Sequence, residues 1–255
     1  MIGRAVLALR LVLAAAGLAA LAGCAASTVP AVHSEPERLA VARQALAKRE
    51  YNVALDLLKT YVANNAGGAE VDQAVYLLGQ TYLGMKEYAS AAVEFERLLR
   101  DYPESDSSGS GAFRLGEAYW GQSRSADYDQ EFTIKAIEQW QSYRRGYPGH
   151  WLNAEAERRA GEGRARLASK LERTATLYLK LGRYEPSKRY FERIRNEFAD
   201  TPQIADAELG LALVARKEGR REEAIATFRE VEAHWPGHKV AARAARERAR
   251  LEKKK

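Results

Sequence analysis

A single cysteine among 255 residues excludes an intramolecular disulfide framework and any cysteine-based zinc cluster. Apolar runs of spanning length are also wanting: Leu11 to Leu21 falls short of the ~20 residues that a membrane-crossing helix needs. No stretch alternates apolar with polar residues, so half-buried strands are not expected. Enzyme signatures are absent too, with no nucleophile elbow, no phosphate-cradling glycine loop and no His-Glu-x-x-His. Of the four histidines, His234 and His238 have the spacing of a helical metal pair, but Trp235-Pro236-Gly237 between them makes them loop residues at a helix end. The carboxylate pairs Glu155/Glu157 and Glu222/Glu223 read as solvated helix faces. A chain without catalytic activity, metal or cofactor of its own is the expectation. What is present is 46% hydrophobic and 29% charged residues, enough to bury a core and too apolar for disorder, in one large or two modest domains.

Residues 1–23 carry Arg4 and Arg10 ahead of the apolar run and small residues after it, the form of a secretory signal. Leu21-Ala22-Gly23-Cys24 resembles the bacterial lipobox, in which the cysteine is lipidated and the chain is cut before it. The resemblance implies a covalent lipid on Cys24, and several acyl chains anchor a protein stably where one does not. Ala25 stands where an aspartate would retain many Gram-negative lipoproteins in the inner membrane, so the periplasmic face of the outer membrane is the expected location. Residues 24–34 then read as a lipidated cysteine and small, polar tether. Export also settles the charge: a net +6 would raise nucleic acid as a partner, and an exported protein does not meet it. Residues 241–255 hold seven basic and two acidic residues, a basic helical tail whose expected reading is a solvated helix end, with contact to acidic lipid headgroups or an acidic partner as the alternative.

Between tether and tail one register recurs. Ala91, Phe95, Leu98 and Pro103 are matched by Ala54, Leu58, Tyr61; by Ala136, Trp140, Tyr143, Pro148; by Ser187, Phe191, Ile194; and by Ala224, Phe228, Val231, Pro236. The spacing resembles the tetratricopeptide pattern: small residues let two antiparallel helices approach, aromatics fill the gap, and proline ends the second helix. The expected fold is all-α, an α-solenoid of five tetratricopeptide helix pairs, with repeats 1–3 at 35–150 and repeats 4–5 at 151–240. Successive copies lie 37, 45, 51 and 37 residues apart. The first excess falls at Trp120–Glu131 and lengthens a turn. The second falls at Asn153–Leu181, which has no proline and only Gly161 and Gly163, and predicts a long helix stiffening the junction. From the same register, Arg43, Leu46, Tyr76, Gln80, Leu83, Phe113, Glu117 and Trp120 are expected to line a groove that takes an extended peptide or helix, Tyr76 and Phe113 having packing between helices as their alternative role.

The run Asp127, Asp129, Gln130, Ala136, Trp140, Gly146-Tyr147-Pro148, Arg166-Leu167-Ala168, Tyr178, Gly182 and Tyr184 is similar in order and spacing to the BamD family of outer-membrane barrel-assembly lipoproteins. The chain departs from that family where Phe198-Ala199 replaces the usual Tyr-Pro. Leu115-Gly116-Glu117-Ala118-Tyr119-Trp120 also looks like the periplasmic repeat protein of the Tol-Pal system, so an adaptor of that system or of the cell-wall machinery stays open. The BamD resemblance implies a scaffold working with a BamA-like outer membrane protein and other assembly lipoproteins. Groove residues would receive unfolded barrel clients, and Lys188, Arg189, Arg193 and Arg195 would meet the BamA-like partner.

Overall fold

The computed structural model describes residues 30–253, and among them the chain forms eleven helices and no strand. These are α1 (Glu35–Ala47), α2 (Tyr51–Asn64), α3 (Val71–Gly84), α4 (Tyr88–Asp101), α5 (Ser108–Gln122), α6 (Glu131–Gly146), α7 (Asn153–Lys180), α8 (Tyr184–Glu197), α9 (Ile204–Lys217), α10 (Arg221–His234) and α11 (Lys239–Lys253). The expected leader, Cys24 and most of the expected tether lie outside the described residues. The tether ends where Ser34 caps α1, its hydroxyl accepting from the Glu37 amide at 3.3 Å.

The chain divides into two compact units, one running to Glu87 and one from Tyr88 onward, so the sequence boundary at 150/151 falls inside the second. In the first unit α1, α2 and α3 pack on one another. In the second, each helix from α4 to α11 packs on the next, and α7 and α9, then α9 and α11, also touch. Short turns make sequential helices antiparallel neighbours, the connectivity of stacked tetratricopeptide hairpins.

All fifteen apolar or small side chains of the register, on α2, α4, α6, α8 and α10, are buried, none more than 5% exposed. Burying each large member stabilises by about 1.5–3 kcal/mol. Glycine on an adjoining helix, the preceding one for Trp140 and the following one for Phe191, permits that burial: a Cβ at Gly116 would run into the Trp140 indole, and one at Gly210 into the Phe191 ring. The polar register member, Ser187, donates to the Ala175 carbonyl at 2.8 Å and is thereby satisfied.

Four of the turns share one hydrogen-bonding scheme that needs a left-handed residue. Gly182 (φ 70°) and Gly219 (φ 80°) supply it after α7 and α9, whereas Arg49 (φ 62°) and Lys86 (φ 63°) occupy it after α1 and α3. At the first, Arg49 and Glu50 amides reach back to Leu46 and Ala45 carbonyls at 3.0 and 2.9 Å.

The longer spacings of the register become an eight-residue connection, 123–130, and the 28-residue helix α7. Two glycines of α7 differ in kind. Gly161 faces open space, while a Cβ at Gly163 would press on Ile137 of α6. We expect Gly161→Ala to stabilise the protein by about 0.5–1 kcal/mol. Gly163→Ala should destabilise it by about 1–3 kcal/mol through overpacking. Thermal unfolding of the two variants checks the opposite signs.

Candidate partner-binding surfaces

The groove residues predicted from the register fall in two separate units, each taken by itself. In the first, Tyr76 and Gln80 lie one turn apart on α3, and the Gln80 amide donates to the Tyr76 hydroxyl at 2.7 Å. Arg43 on α1 is exposed and reaches Gln73 and Glu70, the latter at 3.4 Å. Leu46 and Leu83 are half-buried. None of these five residues is fully buried, so each keeps some surface open to solvent.

In the second unit the expectation needs correcting. Phe113 is only 1% exposed, set edge-on to Tyr143 at 5.8 Å and near Trp140 at 6.5 Å, with its carbonyl accepting from the Trp140 indole N–H at 3.2 Å. It is a core residue, leaving no ring face for a peptide. Glu117 is held by Arg159 at 2.8 Å and by Arg114 at 2.5 Å. The Trp120 ring is covered by the Arg166 guanidinium, 3.6 Å from its centroid. Both are partnered within the chain. Burial pushes the Arg166 guanidinium down from its ordinary value.

Arg166 belongs to a row to which sequence alone assigned no role. Arg166, Lys170 and Arg173 share one face of α7 and clamp the connection 123–130: Arg166 donates to the Ser123 hydroxyl at 2.6 Å, Lys170 to the Tyr128 carbonyl at 2.5 Å, and Arg173 pairs with Asp127 at 2.7 Å. Inside the loop, buried Gln130 donates to the carbonyls of Ser125 and Tyr128 at 2.8 and 3.0 Å and accepts from Thr133 at 2.9 Å. Three residues of the run that carries the family resemblance, Asp127, Gln130 and Arg166, thus take part in holding this connection.

Beside this clamp is a cleft of about 610 Å³ among α6, α7 and α8. Ile134, Leu167, Leu171, Tyr190 and Phe198 give it apolar lining, to which Lys170, Arg193, Asp129 and Glu131 add charge of both signs. Ile134 is 43% exposed, a large apolar side chain left open to solvent. Among the basic partner candidates only Arg193 borders this cleft. Lys188, Arg189 and Arg193 are engaged in one-turn pairs with Glu192, Glu185 and Glu197 at 3.8, 3.1 and 2.9 Å. Arg195 is exposed with no ion-pair partner among the described residues. No group of three or more His, Cys, Asp or Glu among the described residues could hold a metal ion, and His234 instead faces Glu208 at 3.2 Å.

With these surfaces placed, the family can be read. A family model, YfiO, described as an outer membrane lipoprotein, matches residues 32–227. The chain belongs to the YfiO family. This is the BamD family of the sequence resemblance. No curated protein matches the chain. Similar solved structures include a thermophilic tetratricopeptide protein of Thermus thermophilus, 20% identical, covering 83% of this chain and 97% of that one with a TM-score of 0.39. A tetratricopeptide-repeat protein of Bacteroides fragilis is 13% identical, with 87% and 99% coverage and a TM-score of 0.48. PilW, a type IV pilus biogenesis factor, is 13% identical, with 84% and 100% coverage and a TM-score of 0.40. Among the described residues of this YfiO-family chain, no helix is long and apolar enough to cross a membrane.

Two outcomes separate packing from recognition. Phe113→Ala should cost about 3–5 kcal/mol of stability. Tyr76→Ala, at a half-buried site, should leave the helical melt nearly unchanged while weakening capture of an apolar C-terminal peptide. Replacing Arg166 and Lys170 together with Gln should speed amide exchange of residues 123–130 well before the global melt shifts, as read by hydrogen exchange.

Proposed function

We propose that this YfiO-family chain is a lipid-anchored periplasmic scaffold of the machinery that assembles β-barrel proteins in the outer membrane, holding a BamA-like partner and receiving unfolded barrel clients. The observation that carries the reading is the match of residues 32–227 to an outer membrane lipoprotein family. A tetratricopeptide stack suits the task, because packed helix pairs present side-chain surfaces to extended or helical segments. It needs neither cofactor nor metal beyond the lipid on Cys24. The Tyr76 face of the first unit would meet the client. The α8 cations would meet the partner, and their exposed one-turn pairs are weak enough to exchange their glutamates for a partner's carboxylates.

Depletion of the protein should lower the level of barrel proteins in the outer membrane, measured in isolated envelopes. Unchanged barrel levels with a defect in envelope constriction would replace this reading with the Tol-Pal adaptor. The double charge reversal Arg189→Glu/Arg193→Glu should reduce recovery of the BamA-like partner in affinity purification from detergent-solubilised envelope by about tenfold, and full recovery would remove α8 from the interface. Cys24→Ser should shift the protein's lipid anchoring, read as the loss of incorporated radiolabelled palmitate.

A further inference from the structure

The last helix carries a charge arrangement that the scaffold role does not use. Lys239, Arg243, Arg246, Arg250 and Lys253 follow one another at intervals of four, three, four and three residues along α11. On a helix that spacing puts all five on one face, as a stripe about 21 Å long. All five are exposed. The opposite flank of α11 faces the core through Val240 and Ala244, and its charges are spent inside the fold. Arg248 pairs with Glu232 at 2.8 Å and with Glu252 at 2.9 Å, Arg229 adds to Glu252 at 3.0 Å, and Glu247 is taken by Arg216.

The outward stripe is different. Lys239 stands 3.8 Å from Asp206, and Arg250 shares Glu247 at 3.2 Å. Arg243, Arg246 and Lys253 have no ion-pair partner among the described residues. At its C-terminal end the stripe runs into a cleft of about 580 Å³ walled by Arg216, Lys217, Arg250, Leu251 and Lys253, four cations around one leucine. Like charges gathered this way repel one another, and an anionic surface relieves that repulsion.

We propose that the outward face of α11 rests on an anionic membrane surface, with its cations among acidic phospholipid headgroups. Three observations select a lipid surface over an acidic protein. The stripe contains no aromatic or aliphatic side chain to serve as a buried anchor, which stable protein interfaces require. A straight row of cations fits a fluid headgroup layer without demanding a matched spacing from it. Membership of an outer membrane lipoprotein family keeps membrane at high effective concentration around the chain. The family match ends at residue 227, before α11 begins.

The test uses the full lipoprotein, extracted in detergent and reconstituted into vesicles of phosphatidylethanolamine with about one third phosphatidylglycerol, beside vesicles of phosphatidylcholine. Amine labelling of Lys239 and Lys253 is followed by mass spectrometry, with Lys59 of the first unit as reference. Labelling of both should be slower by about threefold or more on the anionic vesicles, and about 0.5 M salt should abolish the difference. Arg243→Gln/Arg246→Gln, which removes two unpaired exposed cations, should abolish it at low salt with an unchanged melt. Equal labelling on both vesicles would overturn the proposal, as would protection that survives in the double variant. Protection seen in native envelopes but not on anionic vesicles would assign the stripe to an acidic protein and overturn it equally.

Discussion

Everything in this fold depends on how closely two helices can approach. Trp140 lies against Gly116 and Phe191 against Gly210, and at both places the ring occupies the volume where any larger residue would put its Cβ. That contact is dispersive and apolar, so it is strong only while the fit is close. At Gly116 it sets how closely the two helices of one hairpin meet, and at Gly210 how closely α8 meets the first helix of the next. Each such helix pair resists deformation for the same reason that its core is intolerant of volume change.

The second constraint is the length of α7. A regular pair would let α6 be followed by a short first helix, but α7 runs for 28 residues and serves both neighbours, packing on α6 with its first half and on α8 with its second. The extra length carries Arg166, Lys170 and Arg173 out to the connection 123–130, and it leaves the cleft floored by Ile134 and Tyr190. The two irregularities of the repeat are thus a single device, an insertion and the helix that holds it.

Much of this was legible in the sequence, and for a clear physical reason. The register identifies residues that must be buried whatever surrounds them, so Ala54 and Val231 could be placed as surely as Trp140. The long helix and the long turn could also be placed, because spacing excess has nowhere else to go. Side chains whose fate depends on a distant neighbour were not legible. Phe113 sits on the first helix of its pair, where the register expects groove, yet Tyr143 and Arg159, 30 and 46 residues further on, close over it. Trp120 likewise loses its open face to Arg166. Asp127, Gln130 and Arg166 of the clamp stand in the family run, but only three-dimensional proximity shows what Arg166 and Gln130 do for one another's segment.

One feature of the turns bears on how the molecule comes apart. Left-handed backbone costs a residue with a side chain about 1 kcal/mol relative to glycine, and Arg49 and Lys86 both bear that cost in the first unit. At the equivalent turns of the second unit Gly182 and Gly219 are relaxed. Opening the turn at Arg49 or at Lys86 therefore releases backbone strain that opening a glycine turn does not.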